Sequence, residues 1–346
     1  MLKDCPLIHE TTSGASLKMT IDEFNALGFD YGDSIDISFS NGFFLEDIPY
    51  FNGYYVDACQ PLLVAYPEAK CPKITNNYGD DLWIEAGLRE LDTASISIRR
   101  KAGYLDMQES CDIRYSNDRE DFSCDEVFAN FRGITAGEIQ KNILYRSASP
   151  CDNRYNRARY ADGLAEQAGI RCIIDLADNE RSIEGYISRD GFDSPHFLSM
   201  YRSGDIVFMP ISTNFLSDAF HNSLKEGLSR MADADGPYLV HCTEGKDRTG
   251  FICVLLEALC GAGFSELEED YMTTYDNYYG INRASDPERY DSIKRRNFDI
   301  MVDAIMPDEN TDARSADLSA CARTYLLGLG LSGHAADKLK RKLTKV

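Results

Sequence analysis

Residues 238–250 constrain this chain more tightly than any other stretch. An apolar run from Tyr238 to Val240 delivers His241 and Cys242; Arg248 follows six residues after the cysteine, then Thr249, Gly250 and a nearly unbroken apolar segment. A strand, a tight loop and a helix N-terminus in that order make an anion cradle, because successive backbone N–H groups turn inward and the helix dipole adds to them. Such a cradle lowers the pKa of a cysteine at its rim, to about 3.5–7.5 in known cases, so that the nucleophilic thiolate is favoured at neutral pH. Arg248 supplies a planar fork matched to two phosphate oxygens. The pattern describes a phosphate site with a nucleophile built into it, using the amides from Thr243, Glu244 and Gly245 through Lys246.

Other positions read less sharply on their own. Asp175 ends an apolar run as a loop-starting cap would, and Arg146 closes another as a surface residue would. His241 reads as a structural hydrogen-bonding residue behind the loop, since a thiolate of lowered pKa needs no base. Lys246 either widens the positive surface toward a polyanion or offsets Asp247.

Charge and cysteine usage narrow the class. The formal net charge of −21 argues against nucleic acid and against long-range attraction to anionic membranes. It also requires Arg248, Lys246, Arg146 and the loop amides to attract an anion against a repulsive average field. No stretch approaches the roughly 18 apolar residues of a membrane span. The start, from Met1 to Pro6, has no apolar signal region. Eleven cysteines are scattered without metal-binding spacing. Cys172, Cys253 and Cys260 lie in apolar runs as small core residues, and a reduced, cytoplasmic setting is expected. No metal and no cofactor is called for.

The chain is long enough for two domains. Residues 1–115 read as a β-rich domain, a small sheet or barrel of unassigned role. Ser34 to Phe39 alternates with period two, Asn41-Gly42 is a hairpin signal, and Tyr54 to Val56, Pro61 to Tyr66 and Thr93 to Ile98 are further strands. Trp83 reads as core. A charge-rich stretch from Asn117 to Asp125 reads as a linker. Residues 116–310 then alternate strands (142–145, 171–176, 206–211, the run before Cys242) with helices, which predicts an α/β fold with a central, largely parallel sheet flanked by helices. Leu216, Phe220, Leu224 and Leu228 mark one amphipathic helix, and the helix from Thr249 to Cys260, with Glu257 its one charge, should be buried throughout. Ser265 to Glu268 forms a capping box for the next helix, and Pro287 opens one running to about Ile305. Residues 311–346 form a tail of short helices packing on this domain.

His241-Cys242 through Arg248-Thr249-Gly250 resembles the signature loop of the cysteine-dependent protein tyrosine phosphatase superfamily. Its ending is similar to that of the bacterial tyrosine phosphatases that also act on phosphoinositides. Asn130 to Gly133, Leu144 to Ser147, Ile173 to Leu176 with Glu180 behind, and Asp270 to Met272 extend the resemblance over roughly residues 125–305. It implies a tyrosine phosphatase-like fold and metal-independent hydrolysis of phosphomonoesters through a cysteinyl-phosphate. Cys242 would be the nucleophile, Arg248 and the amides would hold the equatorial oxygens, and Thr249 would donate to the sulfur. Many relatives carry an acid about thirty residues before the cysteine, but residues 209–214 hold no aspartate. In the branch that this chain resembles, the aspartate of the Asp-Leu motif implies the acid role for Asp175; Asp247, beside Arg248 as in similar lipid phosphatase loops, is the alternative. Phosphotyrosine in a protein is the first expected substrate, with phosphoinositides or inositol phosphates second. A catalytically silent phosphate-binding module and a sulfur-transfer enzyme are the readings from other classes; the intact Cys242, Arg248 and Thr249 weigh against the first, and the Arg248-Thr249-Gly250 ending with the family likeness against the second.

Overall fold

The computed structural model describes residues 1–9, 14–66, 69–215, 217–308 and 311–344, and the chain divides into two compact units, Met1–Arg114 and Tyr115–Val346. In the first unit, β1 (Leu2–His9), β2 (Ala15–Leu17), β3 (Ser34–Phe39), β4 (Phe44–Phe51), β5 (Pro61–Val64), β6 (Lys73–Asn76) and β7 (Thr93–Arg100) close into a barrel in the order β1-β2-β6-β5-β4-β3-β7. Closure leaves no unpaired edge. Alternation fills the interior: Ile35, Ile37 and Phe39 of β3 join Phe24, Tyr50, Leu63, Ile74 and Ile96 in one core, while Ser38 faces solvent. Gly42, at φ +93°, makes the turn between β3 and β4. Residues 54–56 are not a strand, because Tyr55 N–H turns back onto the Gly53 carbonyl at 3.1 Å and breaks the extended run. Three short helices, α1 (Ile21–Ala26), α2 (Leu82–Glu85) and α3 (Leu105–Cys111), complete the unit. Trp83 in α2 is buried and stacks on His9 at 4.9 Å.

The second unit is built on β8 (Arg132–Ile134), β9 (Leu144–Ser147), β10 (Cys172–Asp175), β11 (Ile206–Phe208) and β12 (Tyr238–His241), in the order β11-β10-β12-β9-β8. Strands β9 to β12 run parallel and β8 antiparallel to β9. Its helices are α4 (Asp125–Phe128), α5 (Ala158–Gln167), α6 (Glu180–Ile187), α7 (Pro195–Ser203), α8 (Asp218–Asp233), α9 (Asp247–Leu259), α10 (Phe264–Tyr279), α11 (Pro287–Ile293), α12 (Asp299–Asp303), α13 (Leu318–Gly328) and α14 (Gly333–Thr344). Ile173 and Leu239 share a core with residues of α5, α6 and α7. Their neighbours Ile174 and Val240, equally buried, point to the opposite face, where α8 meets β10 and α9 meets β12. Parallel strands covered on both faces read as continuous apolar runs, as β10 and β12 do. Helices α13 and α14 lie on α9 and α8.

Local departures from the sequence expectations have physical causes. Phe220, Leu224 and Leu228 form the buried stripe of α8, which Ser217 caps; Leu216 lies outside the described residues. The box opening α10 sits two residues earlier than the pattern implied. Gly263 is the cap, its N–H donating to Glu266 at 2.8 Å, so Ser265 lies inside the first turn. The helix from Pro287 is interrupted at Lys294–Phe298 by a widened π turn, which brings Lys294 Nζ to 2.5 Å from Asp299, five residues on. Among the described residues no helix is long and apolar enough to cross a membrane.

Candidate active site

Strand β12 lies at the centre of the sheet between β10 and β9, all of its residues buried, so Cys242 emerges at the carboxyl ends of the parallel strands. Ligands of such sheets bind at that edge. The loop from Cys242 to Lys246 is oriented carbonyl by carbonyl. His241 Nδ1 lies 3.3 Å from the Cys242 oxygen. Ser149 N–H donates to Thr243 O at 3.2 Å and the Tyr278 hydroxyl to Glu244 O at 2.7 Å. Gly245 O accepts from Arg146 at 2.9 Å and from Asn130 at 3.1 Å. Lys246 O accepts from Arg146 at 3.3 Å and from Gly250 N–H at 2.7 Å. In a trans peptide the next N–H points opposite to the carbonyl. Fixing these oxygens outward therefore aims the amides of Thr243 through Asp247 at the centre of the loop. Among the described residues no acceptor takes the amides of Thr243, Glu244, Gly245 or Lys246.

Gly245 is required by this geometry. Its φ is +68°, and a Cβ there would sit 2.2 Å from the Ser147 carbonyl oxygen. Gly245→Ala must displace the loop by about 1 Å, a misplacement on the scale that costs about 10²-fold in kcat. The expected result is that loss in steady-state assay, together with about 1–3 kcal/mol of stability by urea unfolding. Unchanged turnover would show that the amides are not aligned on the reacting group.

Arg248, half-buried in the first turn of α9, donates to Thr243 Oγ1 at 2.9 Å and to Leu176 O at 3.3 Å, which fixes the guanidinium at the loop. Thr249 is fully buried, but its hydroxyl makes no hydrogen bond among the described residues and does not reach the Cys242 sulfur. The helical acceptors three and four residues back, Lys246 O and Gly245 O, are already taken, which leaves this donor uncommitted.

Arg146 lies on the carbonyl side of the loop, away from solvent. It is completely buried, paired with Asp270 at 2.5 Å, and spent on the loop carbonyls. As a β9 residue between Tyr145 and Ser147 it faces away from the core that Tyr145 joins. Arg132 completes the frame, 2.8 Å from Asp270 and 2.6 Å from Asn130 Oδ1. Burial alone would raise the Asp270 carboxyl, but the two guanidiniums hold it well below the usual carboxylate range. The sequence comparison had singled out Asn130, Arg132 and Asp270 without giving them a role. Tyr278 and Ser149, which hold Glu244 and Thr243, carried no local signal.

The remaining loop side chains turn toward aromatic neighbours. Glu244 Oε1 accepts the Tyr115 hydroxyl at 2.5 Å. Lys246 Nζ lies 3.5 Å from Asp247 Oδ2 and 5.7 Å from the Tyr275 ring centre, so its charge is already engaged. Asp247 keeps a quarter of its side chain exposed (26%) and accepts from the Tyr271 hydroxyl at 3.3 Å. Asp175, at the end of β10, is completely buried. Its Oδ1 takes the Ala177 and Asp178 N–H groups at 2.9 and 3.0 Å, and its Oδ2 faces His241 Nε2 at 3.7 Å. Burial and the neighbouring Asp175 push the Asp178 carboxyl up to about 6. Cys172 and Cys260 are core thiols that burial pushes up to about 12, and no disulfide forms among the described residues.

A strand-borne cysteine at the rim of an amide-lined cradle, faced by an arginine at the start of the following helix, defines a cysteine-dependent phosphate site. The chain belongs to the tyrosine phosphatase family, which matches residues 128–345. It is similar to a tyrosine-protein phosphatase from Nostoc commune, 32% identical over 143 residues, covering 38% of this chain and 48% of that protein. The chain thus spans about half the length of the curated relative it matches. Among solved structures it is similar to the core catalytic domain of PP-IP phosphatase SIW14 from S. cerevisiae in complex with citrate, at 18% identity, 50% of this chain, 88% of that chain and a TM-score of 0.30. It is also similar to TpbA from P. aeruginosa in complex with pTyr, at 14% identity, 56% of this chain, 94% of that chain and a TM-score of 0.25.

Proposed function

We propose that the second unit hydrolyses phosphomonoesters, phosphotyrosine first among them, through a metal-independent cysteinyl-phosphate mechanism. The observation that carries this reading is the outward commitment of every carbonyl from Cys242 to Lys246, which leaves the loop amides without partners among the described residues beside Arg248. Cys242 Sγ attacks phosphorus while the ester oxygen leaves with a proton; water then displaces the sulfur and releases inorganic phosphate. The amides and Arg248 stabilise the equatorial oxygens as charge grows on them. Thr249 holds an uncommitted hydroxyl, which a rotation of its side chain must bring to the departing thiolate.

The general acid is assigned to Asp247 rather than Asp175. Asp247 follows the loop with a quarter of its side chain exposed, whereas Asp175 is completely buried at the end of β10 with Oδ1 doubly engaged. The engagement of Lys246 with Asp247 leaves Arg248 as the loop's cationic partner for phosphate, which suits a single phosphate better than a polyanionic inositol headgroup.

The test is hydrolysis of a phosphotyrosine peptide, a phosphoinositide and p-nitrophenyl phosphate in the presence of chelator. Asp247→Asn should lose the basic limb of the pH–rate profile for a phenol leaving group, with kcat down about 10²–10⁴-fold, while Asp175→Asn keeps that limb. The reverse pattern returns the acid role to Asp175. Turnover that needs added metal removes the mechanism altogether.

A further inference from the structure

Behind the phosphate loop, polar side chains from separate segments converge in the interior. Cys151 follows β9, Asp175 ends β10, Asp178 precedes α6 and His241 ends β12; all are buried. One ligating atom each from Cys151, Asp175 and Asp178 lie within 4.8 Å of one another. His241 Nε2 and Asp175 Oδ2 are fully buried, have no hydrogen-bond partner among the described residues, and face each other at 3.7 Å.

The tautomer sharpens the point. His241 Nδ1 is directed at the Cys242 carbonyl, an acceptor, so Nδ1 carries the hydrogen and Nε2 presents a lone pair. Asp175 Oδ2 presents lone pairs too. A separation of 3.7 Å is too long for a hydrogen bond. Among the described residues no lysine or arginine forms an ion pair with Asp175 or Asp178.

We propose that Cys151, Asp175 and Asp178 form a binding site for a divalent cation of the zinc class, with His241 facing Asp175 at its edge. The mixed thiolate and carboxylate donor set selects that class over magnesium or calcium, which take oxygen ligands alone. Outer contacts hold the donors: Tyr186 donates to Asp178 Oδ1 at 2.9 Å, Ser149 Oγ lies 3.3 Å from Cys151 Sγ, and the Ala177 N–H anchors Asp175. A cavity of about 690 Å³ has Cys151 in its wall, with Asn117, Asn153, Asn156 and Asp193, and gives a route in from solvent. Binding displaces the Cys151 thiol proton to water.

The site is tested on the full chain, stripped with chelator, by calorimetric titration with zinc and by cobalt(II) absorption. Expected are one zinc per chain and a near-ultraviolet thiolate-to-cobalt band with tetrahedral visible bands. Both persist in Cys242→Ser and are lost in Cys151→Ser, with zinc affinity down at least about 100-fold. Asp178→Asn keeps the thiolate band but binds zinc more weakly. Absence of stoichiometric zinc binding in the unsubstituted chain overturns the proposal, as does a band that survives Cys151→Ser or vanishes in Cys242→Ser. These readouts need no turnover, so they stand or fall apart from the phosphatase reading.

Discussion

Cys242→Ser is expected to lower kcat for a phosphotyrosine substrate on the order of 10⁵-fold or more, the scale on which loss of a nucleophile acts when the rest of its site survives. The serine hydroxyl is slightly smaller than the thiol and fits the same buried position at the end of β12. The amides of Thr243 through Asp247 and the Arg248 fork stay in place, because their orientation depends on carbonyls held from outside the loop. Substrate binding should therefore survive while chemistry is lost. Acid quench with ³²P-labelled substrate should trap label on the unsubstituted protein at position 242 and none on the variant. Arg248→Lys makes the contrast. A point charge replaces a two-pronged donor, so about 10²–10³-fold is lost from kcat while labelling at Cys242 persists at a reduced rate. Full activity in Cys242→Ser, or label on another residue, would end the proposed mechanism.

What the sequence disclosed depends on how far apart the cooperating residues lie. Cys242, Arg248, Thr249 and the helix start sit in one short segment, so nucleophile, cradle and dipole could be read as a unit. Buried parallel strands such as β10 and β12 announce themselves as apolar runs, and the period-two pattern of β3 marked one wall of the barrel. The frame of the site is non-local. Arg146 seemed placed for substrate because an arginine closing a strand resembles an exposed one; its partner Asp270 comes 124 residues later. The family resemblance implied the acid role for Asp175, but sequence cannot show that its side chain is completely buried. The proposed cation site was invisible for the same reason: Cys151, Asp175 and Asp178 come together only when β12 joins β9 and β10 in one sheet. One local signal was there to be read. Thr20 and Glu23 form a capping box at the start of α1, a helix inside a segment otherwise read as strands.

The second large effect is expected at Asp270. In Asp270→Asn the Arg146 guanidinium, with no exposure, and that of Arg132, at 16%, lose their shared carboxylate. Breaking a buried ion pair on one side costs about 3–5 kcal/mol, and at about 2–4 °C per kcal/mol for a unit of this size the midpoint should fall about 6–20 °C. The carboxyl's folded pKa is depressed below its unfolded value. Its contribution is therefore complete above about pH 4 and fades as pH falls through the folded value, so at pH 3 the gap between the two proteins should narrow by about 1 kcal/mol. Arg146→Met separates strength from positioning. It leaves Asp270 paired with Arg132 at 2.8 Å, which moderates the loss of stability, but strips a donor from both Gly245 O and Lys246 O. Relative to stability lost, Arg146→Met should cost more kcat than Asp270→Asn, with KM little changed, because amides that drift are missed chiefly in the transition state. Urea unfolding and steady-state kinetics on the two variants check the ordering. If kcat tracks stability alike in both, Arg146 is a strut of the fold and not the residue that aims the loop.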